Sequence, residues 1–198
     1  MRSRIRQHYP DSFITSRNVP CIYIADFSER TQSVRGIEVH SNQPTFPVDT
    51  YNGMDCFIIQ NPGRIEVDIN VFNDNQFKDE RGNDLRHCEC CIFPSENHDE
   101  SWVVMLEIKD CKPKNITEYK DDVIEQIISV TNIFRQKHII TDHKVYGVIS
   151  MPRKKVSFNN TIFGMPPEYT RLKRQHKILF AAANYIEIKD NISIMCYE

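Results

Sequence analysis

Two side chains of opposite charge stand two residues apart at the end of an apolar run, Glu107 and Lys109 in Trp102-Val-Val-Met-Leu-Glu-Ile-Lys109. Side chains of a strand alternate between its faces. Val103, Met105, Glu107 and Lys109 therefore share one face, and Trp102, Val104, Leu106 and Ile108 the other. A carboxylate is a hard-oxygen ligand for a divalent cation, and an ammonium beside it stabilises negative charge as it builds on phosphorus. The bland alternative is an ion pair at the polar end of a buried strand, worth only ~0–1 kcal/mol if exposed. The same tripeptide recurs as Glu187-Ile-Lys189, so its presence alone decides nothing.

The segments on either side set where such a pair would stand. Residues 64–72 alternate strictly, Ile65, Val67, Ile69 and Val71 against Glu66, Asp68 and Asn70, which predicts a half-buried strand. Residues 85–93, closed by Pro94, predict a second strand and 102–109 a third, with polar links short enough for an antiparallel meander. Asn115 and Glu118 fit a capping box, and Tyr119, Val123, Ile127, Val130 and Phe134 follow at helical spacing, predicting an amphipathic helix to about residue 137. Residues 144–150 are the strand after it. Farther out, 21–27, 34–40 and 55–59 predict strands on the N-terminal side. Toward the C-terminus, 168–183 predicts a second helix, and 185–189 and 192–196 predict strands, while 1–20 carries no clear period.

This order of strand, acid-bearing strand, strand ending in Glu-x-Lys, long helix and strand resembles the core of the PD-(D/E)xK nucleases, the restriction-endonuclease-like superfamily, over residues 64–150. The resemblance implies an α/β (α+β) fold with a central mixed β-sheet flanked by helices. On one domain of 198 residues, 1–63 would be an N-terminal β elaboration and 151–198 a basic helix with closing strands. It implies that Glu107 binds Mg²⁺ or Mn²⁺, that Lys109 orients or activates the attacking water, and that the carbonyl of Ile108 is a further ligand. The first acid would come from the preceding strand as Glu89, where the family more often has aspartate, with Asp68 one strand earlier as the alternative. Gln126 resembles the helix glutamine by which some branches support the site, although Val130 stands where an aromatic partner is usual. The family core usually opens with a helix, and no amphipathic spacing announces one before residue 64.

Cations gather beyond that core. Arg153, Lys154 and Lys155 follow its last strand, and Arg171, Lys173, Arg174 and Lys177 line the second helix, with Glu168 the one acid between 151 and 177. They are the candidates for holding a phosphate backbone beside an acidic metal site. His87-Cys88-Glu89-Cys90-Cys91 looks metal-rich, but no second Cys or His pair supplies the rest of a tetrahedral zinc site, so buried thiols are the better reading. On a regular strand Cys88 and Cys90 would share one face, and Glu89 and Cys91 the other. Nothing local positions Cys111 with His138 or His143 as a nucleophile and its base.

Hydrophobic content of 40% and charged content of 26% describe an ordinary soluble domain, and a formal net charge of -2 excludes coating of nucleic acid by bulk charge while permitting a local basic face. Seven cysteines, an odd number, without a signal-like start predict reduced thiols and a cytoplasmic protein. No apolar run approaches the ~20 residues of a membrane helix. The expectation is a Mg²⁺-dependent deoxyribonuclease serving bacterial defence against foreign DNA, as a homodimer or in a larger defence complex. Its rival is the same fold without catalysis, a subunit that binds partner protein or nucleic acid.

Overall fold

The computed structural model describes residues 1–26, 36–43, 56–73, 75–109, 116–152, 158, 162–163 and 166–197. In chain order its elements are α1 (Arg2–His8), β1 (Phe13–Arg17), β2 (Cys21–Asp26), β3 (Ile37–His40), β4 (Cys56–Gln60), β5 (Val67–Val71), β6 (Cys90–Pro94) and β7 (Trp102–Ile108). Then follow α2 (Ile116–Gln136), β8 (Lys144–Ser150), α3 (Pro166–His176), β9 (Leu179–Ala182), β10 (Tyr185–Ile188) and β11 (Ile194–Tyr197). The protein is of the α+β class. A six-stranded sheet runs β1-β5-β6-β7-β8-β9, and a five-stranded sheet runs β11-β10-β4-β2-β3.

β7 is the hinge of the larger sheet. On one side the expected meander forms, β5, β6 and β7 pairing antiparallel. On the other, α2 and then α3 return the chain so that β8 and β9 run parallel to β7. A strand paired on both edges and covered on both faces reads as a continuous apolar run, and β7 is buried along its whole length. Val103 and Met105 pack with Val123, Ile127, Val130 and Phe134 of α2. Trp102, Val104, Leu106 and Ile108 pack with Ile22, Ile24, Phe57, Ile59 and Ile186 of the smaller sheet. Three layers result: helices, six strands, five strands. The Trp102 indole N–H donates to the Asp190 carbonyl at 2.8 Å, tying β7 to the turn between β10 and β11.

Several expectations are corrected by long-range packing. Helices flank the central sheet on one face only, and the other face is covered by the second sheet, drawn from both ends of the chain. Asp68 and Asn70 do not face solvent, because α1 covers that face of β5 and both are fully buried. The unperiodic start holds α1 and β1, too short for a pattern to show, and α1 is an opening helix. The strand expected over 85–93 begins only at Cys90. The helix expected over 168–183 stops at His176, and Leu179 and Phe180 belong to β9, since a short apolar run reads alike as buried strand or helix.

Gly147 marks the closest approach across the helix-facing core: a Cβ there would sit 2.8 Å from Phe180 Cδ1 and 3.0 Å from Ile127 Cγ2. Gly147→Ala is expected to destabilise by about 1–3 kcal/mol through overpacking, read as a lowered urea midpoint with unchanged slope.

Candidate functional site

Strand alternation puts Glu107 on the helix-facing side of β7, directly after Val103 and Met105. Its side chain is 1% exposed, and the Lys109 ammonium lies 2.6 Å from Oε1. Lys109 is the partner of Oε1, and Oε2 is buried without a hydrogen-bond partner among the described residues. A carboxylate stripped of water resists ionisation. Burial pushes the Glu107 carboxyl up to about 8 against the pull of Lys109, and the charges of Glu89 and Asp26 push the same way. Lys109 answers in kind: burial would lower its pKa, but the charges of Glu107, Glu89 and Asp122 outweigh burial and raise it.

Glu89 stands where β6 begins, beside the end of β7. Its N–H donates to the Leu106 carbonyl at 3.0 Å, although the ladder pairs Leu106 with Cys90. Two residues of one strand thus meet one of the other, the arrangement of a β-bulge. The extra residue breaks the alternation expected for this segment: Cys88 and Cys91 pack on the helix side and Cys90 between the sheets. No disulfide joins the described cysteines, and burial drives the thiols of Cys88, Cys90 and Cys91 far up. Arg86 anchors the same segment to α2 by ion pairs with Asp122 and, at 3.5 Å, with Glu125.

α2 closes the site from the helix layer. Asp122 is near enough to act on Lys109, and Gln126 follows one turn later on the same stripe. The Gln126 Oε1 is buried with no hydrogen-bond partner among the described residues. Ile108 ends β7, so its carbonyl lies at the same end of the sheet, and the Lys109 N–H donates to the Ser150 carbonyl at 2.9 Å.

Asp68 belongs elsewhere. It pairs with Phe93 in the ladder, which puts it two strands over and about four residues back from Glu107, roughly 16 Å away. Arg2 grips it through both carboxylate oxygens, with Nε 2.8 Å from Oδ2, and the Ser95 hydroxyl donates to it at 2.7 Å. Burial pushes this carboxyl up, but the bonds from Arg2 and Ser95 win and hold it below the usual range.

Sequence reasoning missed Asp26. Ile22 and Ile24 point from β2 into the core between the sheets, and Asp26 takes the next position on that face, at the strand's end. Its charge reaches Glu107. The Ile22, Ile24, Asp26 spacing was the signal available, an acid continuing an apolar face. Arg171, Lys173, Arg174 and Lys177 are exposed on or just after α3, whereas Arg153, Lys154 and Lys155 lie outside the described residues, as does the Asn115 cap.

The second copy of the tripeptide is an internal control. Lys189 and Glu187 also form an ion pair, but the lysine is 39% exposed and Glu187 accepts a hydrogen bond from the Tyr197 hydroxyl at 2.8 Å. There the lysine and Tyr197 lower the carboxyl's pKa. Identical residues at identical spacing carry opposite shifts, and burial makes the difference.

The donor set fits a small hard cation. Mg²⁺ keeps several waters and takes only one or two protein carboxylates, and Glu107 and Glu89 are the carboxylates that could hold one at this end of β7. Among the described residues no three His, Cys, Asp or Glu side chains gather into a metal-holding group without an ion. No described helix is long and apolar enough to cross a membrane. No family model matches the chain, and neither a curated protein nor a solved structure matches it.

Proposed function

We propose that the protein is a metal-dependent nuclease of restriction-endonuclease-like architecture that hydrolyses phosphodiester bonds in DNA. The observation that carries this reading is the buried Glu107 carboxyl, paired with Lys109 and near enough to Glu89, at the start of β6, to feel its charge. The succession from β5 through the crossover of α2 to β8 follows the order of elements that the resemblance implies. Defence against foreign DNA, alone or in a larger complex, follows from the resemblance only.

Glu107 and Glu89 would hold Mg²⁺ or Mn²⁺, with the Ile108 carbonyl at hand. The ion supplies a polarised phosphoryl oxygen and a bound water of lowered pKa. Lys109, kept cationic beside Glu107, stabilises charge on the non-bridging oxygens and aligns the water. Gln126 offers its buried carbonyl oxygen to whatever donor enters the site.

The test is nicking of supercoiled plasmid in Mg²⁺ by the native protein and by Lys109→Met. A loss of at least ~10²-fold is expected, about 2.7 kcal/mol of barrier. Equal rates would sink the assignment. A native protein that neither nicks nor binds Mn²⁺ through Glu107, but associates stably with another protein, would instead be the non-catalytic subunit.

A further inference from the structure

A groove of about 580 Å³ opens where α3 meets the start of β8, lined by Lys144, Tyr169, Lys173, Arg174 and Lys177 with His143 at one end. We propose that it cradles the phosphate backbone of duplex DNA at a second position, remote from Glu107. The ligand rests on the nuclease reading; the groove itself rests on its own geometry.

Three cations at the end of α3, Lys173, Arg174 and Lys177, line it, Lys144 borders it from β8, and no carboxylate lines it. None of the four forms an ion pair among the described residues, whereas Arg86, Lys78 and Lys189 are each paired with a carboxylate. Exposed Arg6, Arg64 and Arg81 are also without an ion pair among those residues, and what sets the four apart is that they line one groove. Lys144 stands at the first position of β8. Its ladder partner is Trp102, so its side chain leaves the sheet on the face toward the smaller sheet, where its charge acts on Asp190, and the cations of the α3 end carry the groove. Arg135 holds the far side in place, donating to the carbonyls of His176 at 2.6 Å and Lys177 at 3.0 Å, so a fifth cation backs the end of α3. His143 contributes shape rather than charge. Burial lowers its pKa, its Nε2 meets the Asn97 amide oxygen at 2.7 Å, and its Nδ1 accepts from the Thr141 N–H at 3.2 Å. The acids that feel this end of the sheet lie outside the lining: Asp99 accepts from Thr141 at 2.8 Å, Asp190 accepts from the Ile192 N–H at 2.8 Å, and Asp142, beside His143 in the chain, acts on its charge.

The ladder fixes the spacing. Glu107 pairs with Ile149, and Lys144 lies five residues earlier on β8, so groove and site are about 17 Å apart along the strands. Both are on the helix-facing side, since Tyr169 and Leu172 of α3 pack on the same core as α2. At 3.4 Å per step along a strand of duplex, that is about five base pairs. A duplex seated in the groove would reach the site only if it ran at least that far toward it.

The experiment separates groove from site. Binding of a 20-base-pair duplex is measured in EDTA from 50 to 200 mM salt, for the native protein and for the triple variant Lys173→Gln/Arg174→Gln/Lys177→Gln. Each phosphate contact contributes about -0.9 to the slope of log K against log salt, so the triple variant should lose about 2.7 of slope with an unchanged melting midpoint. An unchanged slope, or no binding by the native protein, overturns the proposal. Plasmid nicking in Mg²⁺ is scored in parallel. A slope lost by the triple variant while the native protein never nicks would keep the groove and discard the nuclease reading. Native nicking with no slope change would do the reverse.

Discussion

Glu107→Gln is expected to stabilise the protein by several kcal/mol at pH 9 and by nothing at pH 4. In the unfolded chain this carboxyl loses its proton near 4.5, but in the fold it keeps it to about 8. Between those values the folded state binds more protons than the unfolded one, so stability falls as pH rises across the window, and the whole penalty is present above it. At 1.36 kcal/mol per unit the shift corresponds to roughly 4–5 kcal/mol. His143 and His176 work in the opposite sense below 6.5, their burial-lowered values favouring the fold as pH rises. The informative quantity is therefore the variant minus the native protein, from urea unfolding at pH 5, 7 and 9. A difference that stays flat would mean that Lys109 already holds Glu107 ionised. The same experiment carries a metal arm. A cation must displace the proton, so Mn²⁺ at 100 times its Kd should restore about 2.7 kcal/mol to the native protein at pH 8 and nothing to the Gln variant.

How far the sequence discloses such a site depends on the range of the forces involved. The alternation along Trp102 to Ile108 and the stripe of α2 are local, and both stand in the structure as the pattern predicts. What is not legible is set by partners distant in the chain. Asp68 and Asn70 read as a solvent face until α1 is laid over them, 66 residues separating Arg2 from Asp68. The segment 85–93 reads as one strand because nothing in its composition announces that Glu89 and Cys90 will share Leu106. Most telling are the two Glu-Ile-Lys tripeptides, which no local rule separates. Only the strands on both sides of β7 and the helix over it make one of them a buried, proton-retaining acid. The choice between Glu89 and Asp68 is of the same kind, and the Arg2 contact is what bears on it.

Arg2→Ala is expected to cost about 3 kcal/mol at neutral pH, more than Asp68→Asn, although Asp68 is the buried partner. Arg2 is 40% exposed and Asp68 1%. Removing the aspartate lets the guanidinium turn to water, whereas removing the arginine leaves a buried carboxylate with hydroxyls from Ser95 and Ser16 alone. Stranding one charge of a buried pair costs ~3–5 kcal/mol, and partial exposure of the arginine places this case at the low end. The pH dependence has the opposite sign to that of Glu107. Asp68 titrates below its ordinary 3.8 in the native fold, so the pair's contribution is complete above that value and lost as pH falls through the folded one. Without Arg2, burial is opposed only by the hydroxyls, the carboxyl takes up a proton at higher pH, and the gap between variant and native protein narrows in acid. Urea midpoints at pH 7 and pH 3 measure it; a cost below 1 kcal/mol at pH 7 would show that Ser95 and Ser16 suffice. Mn²⁺ titration of the same variants decides the first acid. Glu89→Gln should weaken binding at least tenfold with the fold intact, while Asp68→Asn should alter stability and leave the affinity where it was, because its carboxylate lies two strands over from Glu107, roughly 16 Å away.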